Sequence, residues 1–162
     1  GDSILLHGSV ASRLMKNLAA GLPCCVTVTH LDGLVLARSA FHSSMNYRSV
    51  MVFGSASEVS DPEQKVSGLE RLTEQLLPGR LAELRASTRK ELNATLLLSL
   101  PIEQFSVKMR AGPPDDPSNA PQVPIWAGVV PLSLKAGRPE AAPDLPVGIP
   151  LPDYLAEPGW GE

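Results

Sequence analysis

Residues 5–29 read LLHGSVASRLMKNLAAGLPCCVTVT, and within that stretch the apolar spacing changes period twice. Ile4, Leu5 and Leu6 make a short apolar run closed by His7 and Gly8, the pattern of a strand. From Ser9 the spacing turns helical: Val10, Leu14 and Leu18, with Ala11 and Met15, fall on one face. Ser9 stands where a cap is needed, and Gly21 followed by Pro23 ends the helix. Val26 and Val28 then alternate with Thr27 and Thr29, as in a strand with one buried face. Strand, turn, helix and strand in so short a span point to an α+β domain.

Working outward, the run CCVTVTH and the run LVLARSAF flank Asp32 and Gly33, a dipeptide that predicts a tight hairpin. The polar HSSMNYR leads into a strand at Val50–Phe53 ended by Gly54. Asp61 caps and Pro62 opens an amphipathic helix in which Val66, Leu69, Leu72, Leu76 and Leu77 recur up to Pro78 and Gly79. A short helix is predicted around Thr88 to Asn93, then strands at LLLSLPI and FSVKMR. Residues 111–122, AGPPDDPSNAPQ, read as an irregular exposed loop, and IWAGVVPLSL as one more strand. Pro139, Pro143, Pro146, Pro150, Pro152 and Pro158 then suit an extended tail. The expectation is a mainly β domain over 1–135, with about six mostly antiparallel strands in a barrel or strongly bent sheet and helices at its ends, followed by a tail over 136–162.

The chain has 162 residues, enough for one domain with a proper core. A formal net charge of −3, with 43% hydrophobic and 19% charged residues, fits neither a disordered acidic segment nor a basic nucleic-acid binder. An anionic ligand would need a local cationic cluster. No run approaches the roughly 20 apolar residues of a spanning helix, and GDSILLHG is no signal peptide, so a soluble, cytoplasmic protein is expected. Cys24 and Cys25 are adjacent and poorly placed to bridge each other, and there is no CxxC pair.

Three groups of residues could carry chemistry. In His7–Arg13 the glycine and serines let a backbone approach a ligand, and Ser12 with Arg13 in the first helical turn could cradle a phosphate. An ordinary strand-to-helix turn with a serine cap and a solvated arginine explains the same residues. At Asn46–Ser49, Arg48 beside Ser49 could bind an anion or a ring edge while Tyr47 offers a face for stacking; a strand rim covered by long side chains is the alternative. Lys108 and Arg110 share a strand face and Trp126 begins a later strand, so they could line a cationic, aromatic-walled pocket, or be an exposed face and a core tryptophan. His7, His30 and His42 form no metal-ligand spacing, and GxSxG, P-loop and GxGxxG motifs are absent from the sequence. Asp115 and Asp116 read as solvated loop carboxylates.

The order LLHGSVASRLMKNLAAGLPCCVTVT, a DG pair, NYRSVMVFGSAS and a DP-initiated helix resembles the pyridoxamine 5′-phosphate oxidase-like FMN-binding split barrels, over about positions 3–135. It is most similar to their nitroimidazole-resistance-type branch. The resemblance implies a split β-barrel with FMN at the interface of a homodimer. It implies that Ser12 and Arg13 hold the FMN phosphate, that His7, Gly8 and Ser9 line the approach to it, and that Tyr47, Arg48, Ser49 and Val50 border the flavin; Lys108 and Trp126 are expected as cofactor contacts from the pocket reading alone. The oxidase carries a second basic residue where this chain has Leu14, and a glutamine where it has Ser49. The barrel of that family begins with a helix and two strands that precede the first strand here, so N-terminal strands are expected to be missing from this sequence. Pyridoxamine phosphate oxidase activity itself is not expected. The implied function is a flavoprotein oxidoreductase that takes electrons from NAD(P)H and reduces a small acceptor; the alternative is a non-enzymatic FMN- or haem-binding module, with His7 or His42 as the haem ligand.

Overall fold

The computed structural model describes residues 2–117 and 123–156. Its strands are β1 (Ser3–Ser9), β2 (Pro23–Leu36), β3 (Ser44–Ser55), β4 (Ser57–Glu58), β5 (Thr95–Pro101), β6 (Gln104–Arg110) and β7 (Gly128–Pro131). They form two sheets, β1-β5-β4 and β6-β3-β2-β7. The helices are α1 (Arg13–Ala19), α2 (Pro62–Leu76), α3 (Arg89–Ala94) and the single turn α4 (Asp153–Ala156). The expected mainly β, α+β class is what forms, and β1 with β5, β4 with β5 and β2 with β7 pair antiparallel. By internal contacts the described chain divides into two units, Gly1–Val28 with Ser49–Val107, and Thr29–Arg48 with Lys108–Glu162.

In the first unit, β5 shows why TLLLSLP lacks alternation: it is the middle strand of its sheet, and both its faces are covered. Leu98 and Leu100 pack with Met15, Leu18, Val52 and Ala56 in the core. Leu97 meets α2, whose Gly68 lies so close that an added Cβ would sit 2.5 Å from the Leu97 side chain. Asp61 starts α2 as its composition predicts, its carboxylate accepting from the Gln64 amide at 2.8 Å with Pro62 in the first turn. Thr88 and Glu91 form a reciprocal capping box on α3. Arg85 adds a second hold on Glu91, and hydrogen bonds from its guanidinium and from Thr88 keep that carboxyl far below the usual carboxylate range.

Helix α1 begins later than its periodicity suggests. Ser12, not Ser9, is the cap, and Ser9 ends β1 with its hydroxyl accepting from the Ala11 amide. Val10 therefore lies in the turn, where its amide donates to the Ala94 carbonyl. Of the predicted inward face only Met15 and Leu18 are buried; Leu14 is 65% exposed. Gly8 is the floor on which Met15 rests: an added Cβ would come within 2.8 Å of the Met15 Cγ. Gly8→Ala should push this core side chain off its seat and cost about 1–3 kcal/mol, read as a lowered midpoint in chemical denaturation; an unchanged midpoint would show that Met15 repacks freely.

The second unit corrects the hairpin. Asp32 and Gly33 make no turn: β2 runs unbroken through them, and Gly33 pairs with Pro131 of β7. Its missing side chain admits β7, since an added Cβ would lie 3.1 Å from both the Val129 side chain and the Val130 carbonyl oxygen. Residues 37–43 make the reversal into β3. That turn is clamped by Asp116, whose carboxylate accepts from the Arg38 amide and from its guanidinium at 3.0 Å. Asp116 is thus a structural acceptor and not a merely solvated loop charge. The strand expected over IWAGVVPLSL is confined to β7. Residues 118–122 of the expected loop and 157–162 of the expected tail lie outside the described residues; from residue 136 to 152 the tail carries neither helix nor strand.

Candidate functional site

At the β1–α1 turn the chain folds back tightly: the Ser12 amide donates to the Ser9 carbonyl at 3.0 Å, and the Ser12 hydroxyl accepts from the Met15 amide. Arg13 is the first residue of α1, exposed and without an ion-pair or hydrogen-bond partner among the described residues. The opposite side of α1 builds something different. Leu14, Met15 and Leu18 join Leu5, Leu6, His7, Cys24, Cys25 and Val26 around an open cleft of about 390 Å³. At about 100° per residue, Arg13 lies roughly 150° round the helix from the middle of that face. The structure therefore separates residues grouped in the sequence: Ser12 and Arg13 stand at the turn, whereas His7 is exposed on β1 and is among the residues that line the cleft. The cleft itself escaped the sequence reading, because an exposed Leu14 beside a buried Met15 looks like one continuous core face in the heptad pattern.

The entry of β3 also divides. Successive strand residues face opposite ways, and here Tyr47 and Ser49 are half-buried while Arg48 and Val50 are exposed. Asn46 is buried, its amide nitrogen donating to the Gly112 carbonyl at 3.0 Å and its oxygen accepting from the Arg110 guanidinium at 2.8 Å. Arg110 is thereby spent on structure. Arg48 holds Asp32 through two hydrogen bonds, Nε to Oδ2 at 3.0 Å and Nη2 to Oδ1 at 2.8 Å. Two of its five donors are used, and those on Nη1 remain for a ligand.

That contact holds the Asp32 carboxyl below its ordinary value of 3.8, with smaller help from the charges of Arg48 and His30. Because the folded value is the lower one, the contribution of the pair is complete above pH 3.8 and is lost as pH falls through the folded value. NMR titration of Asp32 should show it, and in Arg48→Ala the carboxyl should return toward 3.8; a titration identical in both proteins would mean the pair is not formed in solution.

Lys108 stands exposed on β6 and Trp126, 66% exposed, precedes β7. These are the two edge strands of the four-stranded sheet, with β3 and β2 between them, so the sheet order does not bring the two residues together. His42 is half-buried in the β2–β3 turn, edge-on to Phe41 with ring centres 5.1 Å apart, and His30 is exposed on β2. Among the described residues no three histidine, cysteine or acidic side chains gather where they could hold a metal ion. A second, more polar cavity of about 600 Å³ lies between α2 and β4–β5, lined by Ser57, Glu58, Ser60, Gln64, Arg71 and Ser99 among others. No helix among the described residues is long and apolar enough to cross a membrane.

With this geometry in place, the family described as pyridoxamine 5′-phosphate oxidase matches residues 1–109. No curated protein matches the chain. Among solved structures, the FAD and haem binding protein of Mycobacterium smegmatis is 46% identical over 96% of this chain and 77% of that one, with a TM-score of 0.87. The flavocytochrome Anf3 of Azotobacter vinelandii is 40% identical over 96% of this chain and 72% of that one, with a TM-score of 0.89. A structure of a candidate 5-nitroimidazole antibiotic resistance protein from Bacteroides thetaiotaomicron, 18% identical over 66% of this chain and 61% of that one with a TM-score of 0.52, agrees in fold alone. Matched by the family over residues 1–109, and sharing its fold and at least 40% of its residues with two solved relatives, the chain belongs to the pyridoxamine 5′-phosphate oxidase-like family of flavin-binding split barrels.

Proposed function

We propose that the chain is a flavoprotein oxidoreductase, acting as a homodimer, that takes two electrons from NAD(P)H and passes them to a small acceptor. The observation that carries the flavin assignment is Arg13: directly after Ser12 at the β1–α1 turn, exposed, and without a partner among the described residues. It is a guanidinium in the position where this family holds a flavin phosphate. FMN and FAD share that phosphate, so the same contact serves either. The sequence resemblance implies FMN, whereas the 46% identical relative binds FAD, which favours FAD. The flavin supplies the two-electron chemistry; the protein positions it and tunes its potential.

Support for a homodimer comes from β6, an edge strand on which Phe105, Val107 and Met109 alternate at 59%, 61% and 69% exposed. A row of large apolar side chains on an open edge is a surface that a second copy would cover. A second reading is favoured by the two relatives above 25% identity, one a FAD and haem binder and the other a flavocytochrome: this chain would carry haem beside its flavin. A non-enzymatic module holding the same cofactors is the remaining alternative.

The experiment is direct. The purified chain is expected to show a flavin spectrum that NADPH bleaches without oxygen, the extracted nucleotide is identified by mass, and the protein sediments as a dimer. A flavin that no nicotinamide bleaches would leave the binding module in place of the oxidoreductase. A colourless protein that takes up neither FMN nor FAD would overturn the flavin assignment.

A further inference from the structure

We propose that the polar cavity between α2 and the β1-β5-β4 sheet is a second ligand site, and that it takes a small hydroxylated oxyanion, a polyol carboxylate or polyol phosphate, held through Arg71. The site lies wholly within the first unit and does not depend on the flavin assignment. Its floor follows from the strand register. Leu5, Ser99 and Ser57 are cross-strand partners in one row, so their side chains share a face. That face lies under α2, because a Cβ added to Gly68 would meet Leu97 at 2.5 Å and Leu5 at 3.5 Å. Gly68 lets the helix settle on Leu97, and the row at Ser99 is left less covered. Ser99 is accordingly half-buried in a middle strand whose Leu97, Leu98 and Leu100 are fully buried. The leucine run of β5 is broken by a hydroxyl where the strand forms the floor of a cavity of about 600 Å³.

The wall is polar as well. Gln64, Ser67 and Arg71 recur three and four residues apart, which puts them in one line along α2, and all three border the cavity. The side chains of Ser57, Ser60, Gln64, Ser67, Arg71 and Ser99 have no hydrogen-bond partner among the described residues. Of the two carboxylates beside the cavity, Asp61 already accepts from the Gln64 amide as the cap of α2. Glu58 pairs with Leu98, in the row whose side chains face the other way. What remains is one guanidinium with hydroxyls and an amide around it. A guanidinium without a carboxylate partner calls for an oxyanion, and the hydroxyls and amide suit the hydroxyl groups of a polyol. The apolar part of the lining is Leu5, Val59, Gly68 and Leu97, which leaves little to attract a greasy ligand.

The test uses the full chain loaded with its flavin and follows its amides by NMR. It is titrated with gluconate and with glycerol 3-phosphate, against glucose and inorganic phosphate as the polyol and the anion alone. At least one of the two acids should shift the amides of residues 57–71 and 97–99 and leave those of residues 9–15 in place. Whichever binds more tightly tells a carboxylate from a phosphate. Glucose and inorganic phosphate should bind at least ten-fold more weakly. Arg71→Gln, which keeps hydrogen-bonding capacity and removes the charge, should lose at least ten-fold in affinity, and Arg71→Lys should retain more than Arg71→Gln. Ser99→Val, which replaces the hydroxyl of the floor by methyl groups, should weaken binding too. The assignment is overturned if neither acid shifts these amides at millimolar concentration, or if Arg71→Gln binds as wild type does. It is equally overturned if glucose or inorganic phosphate binds as tightly as the acids, or if the shifts gather at Ser9–Met15, which would place the anion at the turn before α1.

Discussion

Arg13→Ala is expected to weaken flavin nucleotide binding by about 10- to 100-fold. A charge-assisted contact to a phosphate contributes roughly 1.5–3 kcal/mol, and Arg13 has no other described partner on which that energy could be spent. The structural cost should be small, since the side chain is exposed and exposed substitutions usually change stability by less than about 0.5 kcal/mol. The measurement is a fluorescence titration with FMN, FAD and riboflavin. Wild type should prefer the two nucleotides over riboflavin, and the variant should lose most of that preference. Equal affinity for riboflavin and FMN in wild type would place the phosphate elsewhere. Ser12→Ala is a weaker probe, because its hydroxyl already caps α1 and its loss would mix binding with helix stability.

Leu98→Ala should have the largest effect on the fold, about 2–5 kcal/mol. Leu98 is fully buried among Met15, Leu18, Val52 and Leu100, on the face of β5 that carries the first unit's core. Against a total stability of about 5–15 kcal/mol for a domain, this leaves a protein that melts early or fails to accumulate. Urea denaturation of the purified variant measures it. A loss below about 1 kcal/mol would mean that the surrounding side chains collapse into the vacated space.

Local grammar foretold the parts of the molecule that local forces decide. Asp61 with Pro62, and Thr88 three residues before Glu91, announce helix starts through hydrogen bonds made within one turn, and both helices begin there. Asp32 and Gly33 misled for the opposite reason. Their turn chemistry is real but is overruled by partners far away in sequence: β7 needs the bare backbone of Gly33, and Arg48 takes the Asp32 carboxylate. The candidate site was legible to the same degree. The exposed Arg13 after a serine could be read directly, whereas the division of Asn46–Val50 between two faces and a buried anchor depends on which strand lies alongside. Asn46 looked like part of a ligand edge because nothing nearby in sequence announces Arg110 or Gly112 as its partners.

The double cover of β5 has a consequence on another timescale. A strand flanked by β1 and β4, with α2 on one face and the α1 side of the core on the other, gives up its amide protons only when the whole unit opens. Leu97, Leu98 and Leu100 should therefore be the slowest amides to exchange with deuterium, while the exposed edge strand β6 exchanges early. Any ligand seated against β1 or α1 would then announce itself by slowing exchange in β5, a strand that contributes no residue to either the turn or the cleft.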